Sequence, residues 1–168
     1  LFPYTTLFRS VRGLVIGSAT SGAMSITGGT FSSAGSDILD VIGNGAGTGT
    51  LTIAGGSYIG PSLGISPNIG TSMGLGGTGV GIFNINSGSA TLSTLTLNAS
   101  TATVNLNGGT LAFNDIVRSG GTNTINFNGG TLKPLVTNPT FFPNLSNTTA
   151  FVKSLGAIVD TDGNDVTI

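Results

Sequence analysis

Val104-Asn-Leu-Asn-Gly108-Gly-Thr-Leu111 returns further along the chain as Ile125-Asn-Phe-Asn-Gly129-Gly-Thr-Leu132, and the relation between these two strings decides the fold. Three further segments superimpose on them upstream: Met24-Ser-Ile-Thr-Gly28-Gly-Thr-Phe31, Leu51-Thr-Ile-Ala-Gly55-Gly-Ser-Tyr58 and Phe83-Asn-Ile-Asn-Ser87-Gly-Ser-Ala90. Their starts are closest together from Phe83 to Val104 and from Val104 to Ile125, which sets a basic unit of about 21 residues. The wider intervals, from Met24 to Leu51 and from Leu51 to Phe83, are that unit plus insertions.

Inside each segment apolar residues alternate with small polar ones, the period-2 pattern of a strand with one buried face. Met24 and Ile26, Leu51 and Ile53, Phe83 and Ile85, Val104 and Leu106, and Ile125 and Phe127 are expected to point inward. The Ser, Thr and Asn between them are expected to point out. Gly-Gly then permits positive φ or a close backbone approach at a corner, before a further, usually apolar position at Phe31, Tyr58, Ala90, Leu111 or Leu132.

A second strand recurs about eight or nine positions upstream of each segment, at Val15-Ile16, Val41-Ile42, Leu75, Leu95-Thr-Leu97 and Ile116-Val117. Each unit therefore supplies two or three short strands joined by tight corners. One unit cannot close its own core, whereas stacked units cover one another's apolar rows and pair their backbones about 4.8 Å apart. The expected fold is all-β: a parallel β-helix, or β-solenoid, of about 21-residue coils with insertions. An antiparallel sandwich or meander is the competing architecture, but hairpins would reverse the pattern and here it recurs in one direction.

Stacking also aligns the outward positions. Asn84, Asn105 and Asn126 fall in one column and Asn86, Asn107 and Asn128 in another, which predicts ladders of side-chain amides bonded from coil to coil. Thr48 and Thr50 align with Thr101 and Thr103 and with Thr122 and Thr124, a Thr-x-Thr array of the kind an ice-binding face uses. Val80 and Ile82 occupy the same columns and break the hydroxyl rows, and ordinary β-propensity accounts for Thr.

Composition narrows the function. Only 7% of residues are charged, against a typical value of about 25%, and 29 of the 168 are glycine. The net charge is -1 and the five basic residues, Arg9, Arg12, Arg118, Lys133 and Lys153, are scattered, so nucleic acid is not an expected partner. No residue between Asp40 and Asp115 ionises at neutral pH. The chain has neither cysteine nor histidine, which removes thiolate chemistry and the commonest general base and metal ligand. No run is long and apolar enough for a transmembrane span, so this segment is not expected to insert directly in a membrane.

Few groups remain for chemistry. Asp160, Asp162 and Asp165 form the densest carboxylate cluster and have oxygen ligands for a weak calcium site, although an EF-hand loop with its terminal Glu is absent and Asp162-Gly163 already suits a β-turn. Asp37 and Asp40 point to opposite sides of a regular strand, and Asp115 and Arg118 suit a corner ion pair or separate solvated groups. A polysaccharide lyase or hydrolase needs such groups to converge, so no catalytic residue and no cofactor is expected.

Three segments depart from the repeat. Residues 59–74 contain Pro61 and Pro67 and read as a loop insertion. Residues 133–150 are irregular, with Phe141 and Phe142 expected to cover a coil or pack below the next strand. Residues 1–10 read as a non-native scar, resembling a translated sequencing adapter, or as a disordered extension, with an aromatic cap over the first coil as the alternative. Residues 11–168 are then a β-helix fragment, expected to belong to a longer protein because it starts at Leu1 and ends on Val166-Thr-Ile168.

The strings Gly-Thr-Leu-Thr-Ile-Ala-Gly-Gly and Val-Asn-Leu-Asn-Gly-Gly-Thr-Leu, followed by Gly156-Ala-Ile-Val-Asp160-Thr-Asp-Gly-Asn-Asp-Val-Thr-Ile168, resemble autotransporter-associated β-strand repeat proteins over roughly residues 14 to 168. The resemblance implies a right-handed parallel β-helix within a large exported protein, located extracellularly or on the outer cell surface. With the absence of catalytic groups, it leads to the expectation of a non-catalytic rod or spacer. Its partners are then flanking coils of the same longer chain. An adhesive or carbohydrate-binding face of outward Asn and Thr, contacting glycans or other cell-surface components, is the alternative, with an enzyme fragment or ice-binding face as lesser ones.

Overall fold

A computed structural model of the chain describes residues 7–10, 13–33, 39–60, 70–75, 78–97, 101–143 and 145–168. Strand β1 (Leu7–Ser10) precedes a first coil built from β2 (Val15–Ser18), β3 (Gly22–Ile26) and β4 (Thr30–Ser33). The second coil is β5 (Leu39–Asn44) and the long β6 (Thr48–Ile59), and the third is β7 (Gly70–Leu75) and β8 (Val80–Thr91). Separate strands make up the fourth, β9 (Thr94–Leu97), β10 (Thr101–Leu106) and β11 (Thr110–Phe113). The fifth repeats them as β12 (Asp115–Arg118), β13 (Thr122–Phe127) and β14 (Thr131–Pro134), and the sixth holds β15 (Thr148–Val152) and β16 (Ile158–Val159).

These strands line three faces. The first is β2-β5-β7-β9-β12, a five-stranded sheet. The second runs β3-β6-β8-β10-β13-β15, and the third runs from β1 and β4 through the C-terminal halves of β6 and β8 to β11, β14 and β16. Every paired strand is parallel to its neighbour, which makes the molecule a parallel β-solenoid. On the second face the register runs Met24, Leu51, Phe83, Val104, Ile125, Ala150. The steps from Phe83 to Val104 and from Val104 to Ile125 are the shortest, and each of the others, including the last to Ala150, is a longer coil carrying an insertion.

The alternation sets the core. Leu51, Ile53, Phe83, Ile85, Val104 and Leu106 are almost wholly buried, and they belong to one apolar cluster that reaches from Ile16 to Phe141. Aromatic rings continue it along the axis: Phe31 stacks on Tyr58 and Tyr58 meets Phe83 edge-on, both at 6.1 Å between centroids. At the corner between the second and third faces the second glycine of the pair is required in the fourth coil. Gly109 has φ of 64°, and a Cβ there would lie 2.5 Å from the carbonyl oxygen of Gly88 in the coil below.

Two segments differ from their sequence reading, and a third follows it. Leu7–Ser10, placed outside the repeat, is β1 and pairs with Thr30–Ser33 of β4, because an open strand edge accepts an extended segment through its backbone alone. The stretch read as an insertion at 59–74 begins with the last residue of β6 and ends in β7, and residues 61–69 lie outside the described residues. Within β7 it is Met73, not Leu75, that pairs with Ile42 and Leu97, since register follows backbone pairing with β5 and β9. Within 133–150, Phe141 is fully buried and stacks on Phe113 at 4.8 Å, while Phe142 packs against Phe127.

Candidate functional site

The outward side of the second face carries the chain's most regular polar array. In-register parallel pairing places Thr52, Asn84, Asn105 and Asn126 directly above one another. Asn126 Nδ2 donates to Asn105 Oδ1 at 2.8 Å, Asn105 Nδ2 to Asn84 Oδ1 at 2.8 Å, and Asn84 Nδ2 to Thr52 Oγ1 at 3.3 Å. All the donors therefore point toward the N-terminal coil. In the second column Asn107 Nδ2 donates to Asn86 Oδ1 at 2.9 Å, but Asn128 accepts from the backbone N–H of Leu155 at 3.4 Å.

Beside these columns Thr101 and Thr103 pair with Thr122 and Thr124 on one side and with Val80 and Ile82 on the other. The hydroxyl rows are interrupted in the third coil. Above Asn126 the next position is Phe151, whose ring is exposed and lies 4.6 Å from the ammonium of Lys153.

The carboxylates do not gather. Lys133 Nζ lies 3.1 Å from Asp162 and 3.9 Å from Asp160, so a cation already sits between those two groups. The turn is closed locally: the Asp162 N–H donates to Asp160 Oδ1 at 3.1 Å, and Asp162 and Gly163 both have positive φ. The Asp165 N–H donates to Thr137 Oγ1 at 3.4 Å. Among the described residues there is no group of three or more acidic side chains that could hold a metal ion. Arg118 donates to Gly121 O and Ser146 Oγ instead of pairing with Asp115. Burial raises the Asp115 carboxyl above its ordinary range, opposed by hydrogen bonds from the Ile116 backbone and Asn138.

Two buried polar groups lie outside the candidate site residues of the sequence reading. Asp40 is completely buried, and its carboxylate accepts from the Tyr58 hydroxyl at 2.5 Å, the Leu14 N–H at 2.7 Å and the Ser33 hydroxyl at 2.9 Å. Burial pushes its carboxyl up, and these three donors, Tyr58 foremost, pull it down less strongly. Asp37 lies outside the described residues, so its relation to Asp40 has no structural counterpart here. Asn123, also buried, accepts from the Ala102 N–H and donates to Gly120 O, binding the fourth coil to the fifth. Its inward parity between Thr122 and Thr124 was the signal available in the sequence.

No family model matches the sequence, and neither a curated protein nor a solved structure matches it. No helix among the described residues is long and apolar enough to cross a membrane, which leaves strand-built membrane proteins unaddressed.

Proposed function

We propose that this chain is a non-catalytic rod or spacer segment of an exported protein, extracellular or on the outer cell surface, with further coils of the same longer chain as its neighbours. The observation that carries this reading is the continuous parallel pairing from Met24 to Ala150 through six coils, with one apolar cluster running along them. Stacking of that kind turns chain length into reach at about 4.8 Å per coil. The dispersal of the carboxylates favours a structural role over acid–base chemistry, and the resemblance to autotransporter-associated β-strand repeats favours an exported one.

Three measurements test it. Small-angle X-ray scattering of this chain and of one in which residues 104–124 are duplicated is expected to show the long dimension grow by about 5 Å with the cross-section constant. Immunogold labelling of intact source cells is expected at the surface, and a label confined to the interior overturns the exported role. Release of reducing ends or unsaturated products from a panel of polysaccharides overturns the non-catalytic one.

A further inference from the structure

One outward residue of the second face does nothing for the solenoid. Ala150 and Val152 pair with Ile125 and Phe127 and so take the inward parity, which sends Phe151 to the outside above Asn126. It is 45% exposed and contributes no bulk to the core. An exposed cation–π contact such as that between Lys153 and this ring is weak enough for a ligand to displace. The ring therefore stands on the outward side of the face, one rung above Asn126.

The column beneath it has unused capacity. An Asn side chain offers two N–H donors and two acceptor lone pairs. Asn105 spends one donor on Asn84 and one lone pair on Asn126, and it keeps one of each for solvent. The face thus repeats a donor–acceptor pair at the rung spacing of about 4.8 Å, with an aromatic platform at one end. An extended polysaccharide repeats its hydroxyls at a similar interval and offers the C–H face of a pyranose to a ring. An extended peptide would instead use a free strand edge, where backbone groups are unpaired.

Charge selects further. β6, β8, β10, β13 and β15 place no ionisable side chain on this face; Lys153 lies beside the Phe151 ring, and Arg118, bonded to Gly121 and Ser146, stands at the edge where β13 and β15 begin. A polyanion would find two isolated cations at its margins and no row of them along the rungs, and a polycation would find no carboxylate on the strands of the face. We propose that the Asn84, Asn105, Asn126 column and the Phe151 ring form one binding strip for a neutral polysaccharide lying along the solenoid axis. This goes beyond the spacer role, which holds whether or not the strip is occupied.

The test is affinity electrophoresis of the full chain in native gels cast with hydroxyethylcellulose, xyloglucan, galactomannan or laminarin, with alginate and polygalacturonate as anionic comparisons. At least one neutral polymer is expected to retard the protein. Phe151→Ala and Phe151→Leu are expected to weaken that retardation at least tenfold, and Asn126→Thr about threefold. Phe151→Leu keeps apolar bulk, so it decides the matter if Phe151→Ala also lowers the melting temperature. Retardation by the anionic polymers alone, by no polymer, or to the same degree after Phe151→Leu or Asn126→Thr overturns the proposal. Scattering on each variant keeps a lost strip distinct from a lost rod.

Discussion

At Asp40 a charge-bearing side chain has been taken wholly out of water and given three donors from three different strands or their margins. Its carboxyl is raised above the ordinary 3.8 because burial outweighs those hydrogen bonds. In the unfolded chain the group ionises first, so the stability it contributes is complete below about pH 3.8 and is lost as pH rises through the folded value. Asp40→Asn keeps an acceptor for Leu14 and Ser33 and donates to the Tyr58 oxygen. Melting curves between pH 3 and 8 are therefore expected to show wild-type stability falling with pH above that of an ordinary Asp, and a shallower fall in Asp40→Asn. Asp115 retains a dependence of the same sign in both proteins. Gly109 is the backbone counterpart: Gly109→Ala meets both the left-handed φ and the Gly88 carbonyl, and about 2 kcal/mol or more of stability should disappear in urea denaturation. The sequence displayed the glycine's role, because a glycine pair or Ser-Gly recurs after each of the five superimposable segments' alternating runs. It concealed Asp40, whose partners Leu14, Ser33 and Tyr58 are brought together only by stacking.

At the scale of the element, the amide ladder was legible because identical outward residues recur at a fixed interval and parallel pairing leaves them no other neighbours. Asn105 holds both Asn84 and Asn126, so Asn105→Ala removes two side-chain hydrogen bonds of about 0.5–1.5 kcal/mol each. A loss of about 1–2 kcal/mol is the expected result, and a double-mutant cycle with Asn84→Ala should return a coupling above about 0.5 kcal/mol. A coupling near zero would mean the amides are merely tolerated at the surface. In the second column Asn128 takes the backbone N–H of Leu155 on its amide oxygen, a contact that depends on the path of the sixth coil. The sixth coil was legible only as renewed strand character. In Thr148-Thr-Ala-Phe-Val152 the inward positions are Ala150 and Val152, and no Gly-Gly marks the next corner.

For the whole molecule the decisive property is that each coil is supported only by the coils beside it. Leu106→Asp places an unpaired carboxylate in the centre of the fourth coil, where the cost is expected to exceed about 4 kcal/mol. Hydrogen exchange should then rise together across β8, β10 and β13, and protection lost at β10 alone would contradict the stacked core. The same nearest-neighbour support has a mechanical counterpart in the uneven coil lengths. A chain held at its two ends and stretched along the axis is loaded one rung at a time, so it should unravel in a saw-tooth of separate ruptures. Coils of roughly 21 to 32 residues would then release increments of roughly 70 to 110 Å. The order in which long and short steps appear in an optical-trap trace would report which end gives way first, because the wide step from Leu51 to Phe83 lies nearer the N-terminus than the two short ones.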